Sequence, residues 1–491
     1  MANFYEELEK AFLENSDKPA LFLTEGVWSY GDLIEMVNHF SYVLSSHGVD
    51  PGDRVVVQVE KSAENLALYL ATLKIGGVYV PLNTAYTSSE LDYFISDAEP
   101  SLFVGETGRD DVPSLTLKPN GQGSLNESID PKAATVPVAS RAATDLASIL
   151  YTSGTTGRSK GAMLTHGNLY SNAVSLIDCW GWRDDDVLLH ALPIFHVHGL
   201  FIASHCALLN GTPMIFLAKF ETEEVLKKLP ECTVLMGVPT FYTRLLSEPG
   251  LTSDYVKNVR VFISGSAPLT ETTFKEWESR TGHKILERYG MSETIINTSN
   301  PLDGERVPGT VGFPLPGLSL RIADDSGGEL ARGEVGTIEV SGPAVFKGYW
   351  RMPEKTEEEV RGDGFFITGD MGIQDSEGRV TIVGRAKDLV ISGGFNVYPK
   401  EVESVIDDLR GVEECAVIGV PHADFGEAVV AVVVPEDKEI SLDFVKSELA
   451  DKLAKFKQPK ALVNVSELPR NTMGKVQKNL LRDQYSGILD D

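Results

Sequence analysis

The chain has 491 residues, more than one ordinary core holds, so two to four structural units are expected. A net charge of −27 argues against nucleic acid as a partner, and no apolar run reaches the roughly 20 residues that a membrane span requires. Four cysteines (Cys179, Cys206, Cys232, Cys415) show no Cys-x-x-Cys spacing, which excludes a disulfide framework or a cysteine zinc site. With an acidic, amphipathic start in place of a secretory or transit peptide, the expected location is the cytoplasm.

From the N-terminus, helical periodicity over 32–47, 62–75 and 88–97 alternates with strand-like runs over 54–59, 76–82 and 102–104. Such alternation predicts a mostly parallel, doubly wound sheet. Residues 105–145, rich in Gly, Pro, Ser and Asp, read as a surface connection. The apolar run 146–151 then enters Thr152-Ser153-Gly154-Thr155-Thr156-Gly157-Arg158-Ser159-Lys160. Two glycines among hydroxyl side chains, closed by a lysine, suit phosphate: the backbone N–H groups approach closely, the hydroxyls donate, and Lys160 adds positive charge. The spacing is not that of a GxxxxGK[ST] P-loop, because Arg158 follows Gly157.

Further on, three strand-like runs each end in a turn fit for a pocket. One leads into Pro239, a second into Gly265-Ser266-Ala267, and a third, Glu287-Arg288-Tyr289, into Gly290-Met291-Ser292-Glu293. In open α/β sheets ligands bind at such strand ends. A strand at 188–192 runs into Pro193-Ile194-Phe195-His196-Val197-His198-Gly199, where no third ligand supports a metal reading of His-x-His. Beyond Gly312, short alternating strands predict a small β-barrel-like unit, which carries Thr368-Gly369-Asp370 and closes at Gly384-Arg385-Ala386-Lys387-Asp388. Residues from about 388 read as a separate α+β domain that carries Gly474-Lys475 in its closing segment.

These segments, in this order, resemble the adenylate-forming superfamily of acyl-CoA synthetases, luciferases and peptide-synthetase adenylation domains. Ser159 replaces a common proline and Ser292 a usual threonine. The resemblance implies an α/β fold, with an N-terminal domain over 1–386 and a mobile C-terminal domain over 388–491 that turns about Lys387. It also implies that a carboxylate attacks the α-phosphate of ATP and that a thiol then displaces AMP.

By the same resemblance, Thr152, Ser153, Gly154, Thr155, Thr156, Gly157 and Lys160 hold phosphates, while Glu293, with Thr152, serves Mg²⁺. Tyr289 stacks on adenine opposite Gly265, Ser266 and Ala267, in a site that includes Glu287, Arg288, Gly290, Met291 and Ser292. Asp370 and Arg385 reach the ribose, and Lys475 bridges carboxylate and α-phosphate. Within the superfamily the resemblance is to malonyl-CoA synthetases, which implies malonate and coenzyme A as substrates. Arg244 would then meet the distal carboxylate, with Ser266, His196, Gly290 and Met291 alongside. Methylmalonate or another short acid is the alternative substrate, and a nucleotide-binding protein with a decayed active site is the non-enzyme alternative.

Overall fold

The computed structural model describes residues 3–152, 159–392, 395–422, 425–471 and 474–489. Two sheets form the large N-terminal part. One has six strands in the spatial order Ser114–Thr116, Leu102–Gly105, Arg54–Gln58, Val78–Pro81, Leu146–Thr152, Lys160–Thr165; only the last pairing is antiparallel. The other has nine strands, with a parallel centre running from Leu286–Tyr289 through Val261–Ser264, Val234–Gly237, Leu188–His190 and Met214–Phe216 to Pro19–Leu23. Its antiparallel edges are Gly26–Ser29 on one side and Thr298–Ser299 with Phe313–Pro314 on the other.

Burial explains how helices sit against these sheets. In the helix Ala63–Lys74 every residue but Glu64 is buried, as a helix covered on all sides must be. Tyr30–Ser46 begins at a capping box, in which Ser29 and Asp32 satisfy each other's backbone N–H groups. The stretch expected to be a surface connection holds a sixth strand, Ser114–Thr116, and a short helix, Ser124–Glu127.

The small β unit is a four-stranded antiparallel meander of Ser319–Ala323, Gly336–Ser341, Phe366–Gln374 and Val380–Arg385. Burial alternates strictly along Phe366–Gln374, so Thr368 and Asp370 face inward together. Its fully buried Glu339 is held by Arg321 at 2.7 Å and Arg361 at 2.9 Å.

After the short turn Ala386–Asp388 the chain forms a five-stranded sheet with its own cores. Val402, Ile406, Val445 and Leu449 pack on one face, and Leu481 and Leu468 on the other. Neither cluster includes a residue before Val390. Among the described residues no helix is long and apolar enough to cross a membrane.

Candidate active site

The three strands Val234–Gly237, Val261–Ser264 and Leu286–Tyr289 lie side by side and parallel, so the turns after them converge at one edge of the sheet. Helix Pro239–Leu246 starts there, with proline in its first turn. It is fixed to the neighbouring strand because Tyr242 Oη donates to the Ile263 carbonyl at 2.7 Å, and Trp277 packs edge-on against Tyr242. At the next strand end, a Cβ on Gly265 would fall inside the Arg288 guanidinium, so only glycine admits that arginine. Ser266 follows with φ of 71°, a strained conformation of the kind that gathers at functional sites.

Ser266 Oγ lies 3.2 Å from His198 Nδ1, and the His198 N–H donates to His196 Nδ1 at 3.3 Å. The turn bearing both histidines is closed on itself, since Gly199 packs on the Pro193 carbonyl with no room for a Cβ. It is also tied from below. Buried Lys61 donates to His190 Nδ1 at 2.8 Å, which leaves His190 Nε2–H to donate to the Gly199 carbonyl at 2.9 Å.

Arg288 stands out among these groups. It is only 3% exposed, and its Nε and Nη2 find no hydrogen-bond partner among the described residues. Burial pushes its pKa down to about 9, which still leaves it charged at neutral pH. Burial, with the Lys475 and Arg288 charges, drops His196 to about 3; burial, with Arg288, holds His198 well below its ordinary range. Both imidazoles are therefore neutral. His198 Nε2 and Ser264 Oγ are buried and unpartnered as well. A buried cation with no counter-ion among the described residues, beside neutral donors, is a place for an anion, because leaving such a charge uncompensated is costly.

The adjoining polar surface continues from the other face of Leu286–Tyr289. Tyr289 Oη donates to one oxygen of Asp370, and Arg385 Nε holds the other at 2.6 Å. Glu287 braces the turn below, accepting from the Leu269 N–H at 3.1 Å, and burial raises its pKa to about 7. Gly290 lies against the backbone of Ile295 and Ile296, which folds Met291 and Ser292 into a tight turn and buries Glu293. Ile295 pays for that turn with φ of 59°, an outlier for a β-branched residue. Burial raises the Glu293 pKa, opposed by the hydrogen bond from Tyr349 and the charges of Lys160 and Arg385.

Lys160 opens the strand that pairs back on Thr152 and forms an ion pair with Glu359 at 3.0 Å. The candidates Ser153, Gly154, Thr155, Thr156 and Gly157 lie outside the described residues. Lys475 sits at the tip of a turn closed by Asn471, with the neighbouring Gly474 against Thr240 of the N-terminal part. The residue is exposed. Even so, desolvation by the protein packed around its ammonium lowers its pKa below the lysine value, with Arg385 acting the same way and Asp370 and Glu293 opposing. The structure thus brings Lys475, Glu293, Asp370, Arg385, Arg288 and His196 into one electrostatic neighbourhood.

Arg244 differs from expectation. Its helix buries Phe241, Tyr242, Leu245 and Leu246, but Arg244 lies on the opposite, exposed side. Two residues that the sequence reading did not single out, Tyr349 and Glu359, join the site through Glu293 and Lys160. No local pattern marks them.

The AMP-binding enzyme family model matches residues 8–350, and that of the AMP-binding enzyme C-terminal domain matches residues 401–475. A malonate–CoA ligase of Arabidopsis thaliana is 36% identical over 475 residues, covering 88% of this chain and 78% of that protein. The crystal structure of ATP-bound MatB from Rhodopseudomonas palustris shares 54% identity and superimposes with a TM-score of 0.95 over 100% of both chains. Apo MatB from the same organism, also 54% identical over 100% of both chains, gives a TM-score of 0.85. The matched residues 8–350 hold the ends of the parallel strands Val234–Gly237, Val261–Ser264 and Leu286–Tyr289, and the chain belongs to the AMP-binding enzyme family, within the adenylate-forming superfamily that its motifs resemble.

Proposed function

We propose that the protein joins malonate to coenzyme A at the expense of ATP. A malonate carboxylate oxygen attacks the α-phosphorus, the bond to the β-phosphate oxygen breaks, and pyrophosphate leaves. The thiol sulfur of coenzyme A then attacks the acyl carbon, gives up its proton, and AMP departs. The observation that carries the reading is the buried guanidinium of Arg288, whose Nε and Nη2 have no partner among the described residues, near Ser266 and two neutral imidazoles. Malonate needs a partner for a second carboxylate inside the pocket, and arginine pairs carboxylates bidentately. The role expected of Arg244 moves to Arg288 in this reading. A pair formed by an exposed arginine is screened by water and contributes at most about 1 kcal/mol, too little to select a dianion.

Positioning and charge neutralisation are what phosphoryl and nucleotidyl chemistry asks of a protein. Lys475 would bridge the attacking carboxylate and the α-phosphate, stabilising charge as it develops. Asp370 would accept from the ribose hydroxyls, Arg385 would hold it in place, and Tyr289 would flank adenine with Gly265 and Ala267. The donor set suits Mg²⁺: Glu293 offers one buried carboxylate, and no cluster of three or more His, Cys, Asp or Glu ligands exists among the described residues. Mg²⁺ commonly binds through one or two carboxylates together with substrate phosphates. Held by Glu293, with Thr152, it would neutralise phosphate charge.

The second half-reaction needs a thiol route where Lys475 now stands, so the domain over 388–491 is proposed to turn about Lys387. Location in the cytoplasm is supported by four free cysteines, three of them buried. Pyrophosphate release with malonate, methylmalonate, acetate, butyrate and an aryl acid tests the substrate. Malonate is expected to lead, and a monocarboxylate leading would overturn the reading.

A further inference from the structure

We propose that Tyr349 and Glu359 are positioning residues for the nucleotide: a bracket that holds the Glu293 carboxylate and the Lys160 ammonium at fixed places on either side of the Mg²⁺–ATP subsite. The inference rests on the nucleotide roles given above to Glu293 and Lys160. Tyr349 is 2% exposed, and its hydroxyl lies 2.6 Å from Glu359 Oε2 and 3.1 Å from Glu293 Oε1. The other oxygen of Glu359, Oε1, takes the Lys160 ammonium at 3.0 Å. That ammonium also stands 4.1 Å from the centre of the Tyr349 ring. Four side chains thus run without a gap from the strand that carries Lys160 to the turn that carries Glu293.

The backbone around Tyr349 is built for the same purpose. Phe346 N–H donates to the Glu293 carbonyl at 2.8 Å, which ties the segment to the Glu293 turn. Lys347 donates to the Met163 carbonyl at 2.9 Å, Met163 to the Gly348 carbonyl at 3.0 Å, and Trp350 to the Gly161 carbonyl at 2.8 Å. Residues 346–350 therefore lie along the Lys160 strand as an extra, irregular partner and splint it to the turn. The Tyr349 N–H is itself taken by Thr356 Oγ1 at 2.9 Å, at the head of the helix Pro353–Glu359 that delivers Glu359.

Packing alone does not require the hydroxyl. Phenylalanine would fill the same space against Phe346 and keep the ring beneath Lys160. What it would lose is the contact that joins the two carboxylates. Glu359 places negative charge where polyphosphate is to bind, a cost to anion binding that holding Lys160 in position offsets.

The test is calorimetric titration of wild type, Tyr349→Phe and Glu359→Gln with ATP at several Mg²⁺ concentrations and with no acid present. Both variants should bind Mg²⁺–ATP about tenfold more weakly, as loss of a hydrogen bond to a charged group implies, and should need more Mg²⁺ for half-saturation. Their melting temperatures should stay near wild type, and their KM for the carboxylic acid should not move. A Tyr349→Phe protein that binds Mg²⁺–ATP as wild type does would overturn the bracket. Tighter binding by Glu359→Gln would show that Glu359 merely repels polyphosphate, which also overturns it. A wild type that binds Mg²⁺–ATP but activates a different acid would overturn the malonate reading and leave the bracket standing.

Discussion

A single methyl group separates Gly265 from alanine, and it would occupy the space of the Arg288 guanidinium. Gly265→Ala should therefore push that group off its present position and raise KM for malonate more than tenfold, since misplacing a binding group by about 1 Å can cost 10²-fold. Steady-state kinetics over malonate concentration check this, and an unchanged KM would remove Arg288 from the acid pocket. At this scale the sequence was partly legible. Glu293, Asp370, Arg385 and Lys475 lie in short motifs, and the structure gathers them. Arg288 lies in such a motif too, but burial without a partner is a fact of three dimensions and no residue pattern reports it. The outward place of Arg244 could have been read, because 241, 242, 245 and 246 form one helical stripe that leaves 244 on the other side. Tyr349 and Glu359 were beyond reach: Glu359 meets a lysine 199 positions away.

Among elements, the exposed turn Ala386–Asp388 links two parts with separate cores, and Arg482 of the C-terminal helix pairs with Asp388 there at 2.8 Å. A few backbone dihedrals at such a link can absorb a rotation. Lys387→Pro should thus spare acyl-adenylate formation, the state in which Lys475 faces the site, and slow the thioester step severalfold or more. Single-turnover assays of the two halves separate these outcomes, and equal rates in both would place the hinge elsewhere. The parallel strands Arg54–Gln58, Val78–Pro81, Val234–Gly237 and Val261–Ser264 were legible because each reads as a short apolar run ended by a turn. Pro19–Leu23 and Gly26–Ser29 were not, since their place on the sheet comes from the pairing of Leu21 with Met214. Ser114–Thr116 hid in a polar stretch, with Leu115 its one buried residue.

Across the whole molecule, buried neutral histidines make stability depend on pH. Burial lowers His166 from 6.5 to about 4 and His205 from 6.5 to about 3. Between those values and 6.5 the unfolded chain binds protons that the folded one refuses, so their contribution is complete above pH 6.5 and fades as pH falls. Each such group changes stability by about 1.4 kcal/mol per pH unit within its window. Glu287 and Asp407, raised by burial to about 7 and about 6, act with the opposite sign and soften the slope. Melting temperature should hold near neutrality and drop between pH 6.5 and 4, less steeply in His166→Gln. A flat profile through that window would contradict neutral, buried imidazoles. The account as a whole stands on selection of a second carboxylate, and the ratio of kcat/KM for malonate to that for butyrate reads it directly. Wild type should favour malonate. In Arg288→Leu the ratio should fall by a few hundred-fold, since breaking a buried charge pair costs about 3–5 kcal/mol, while butyrate activity holds or rises. A wild type that prefers butyrate, or a ratio that collapses in Arg244→Leu and stays put in Arg288→Leu, would contradict it.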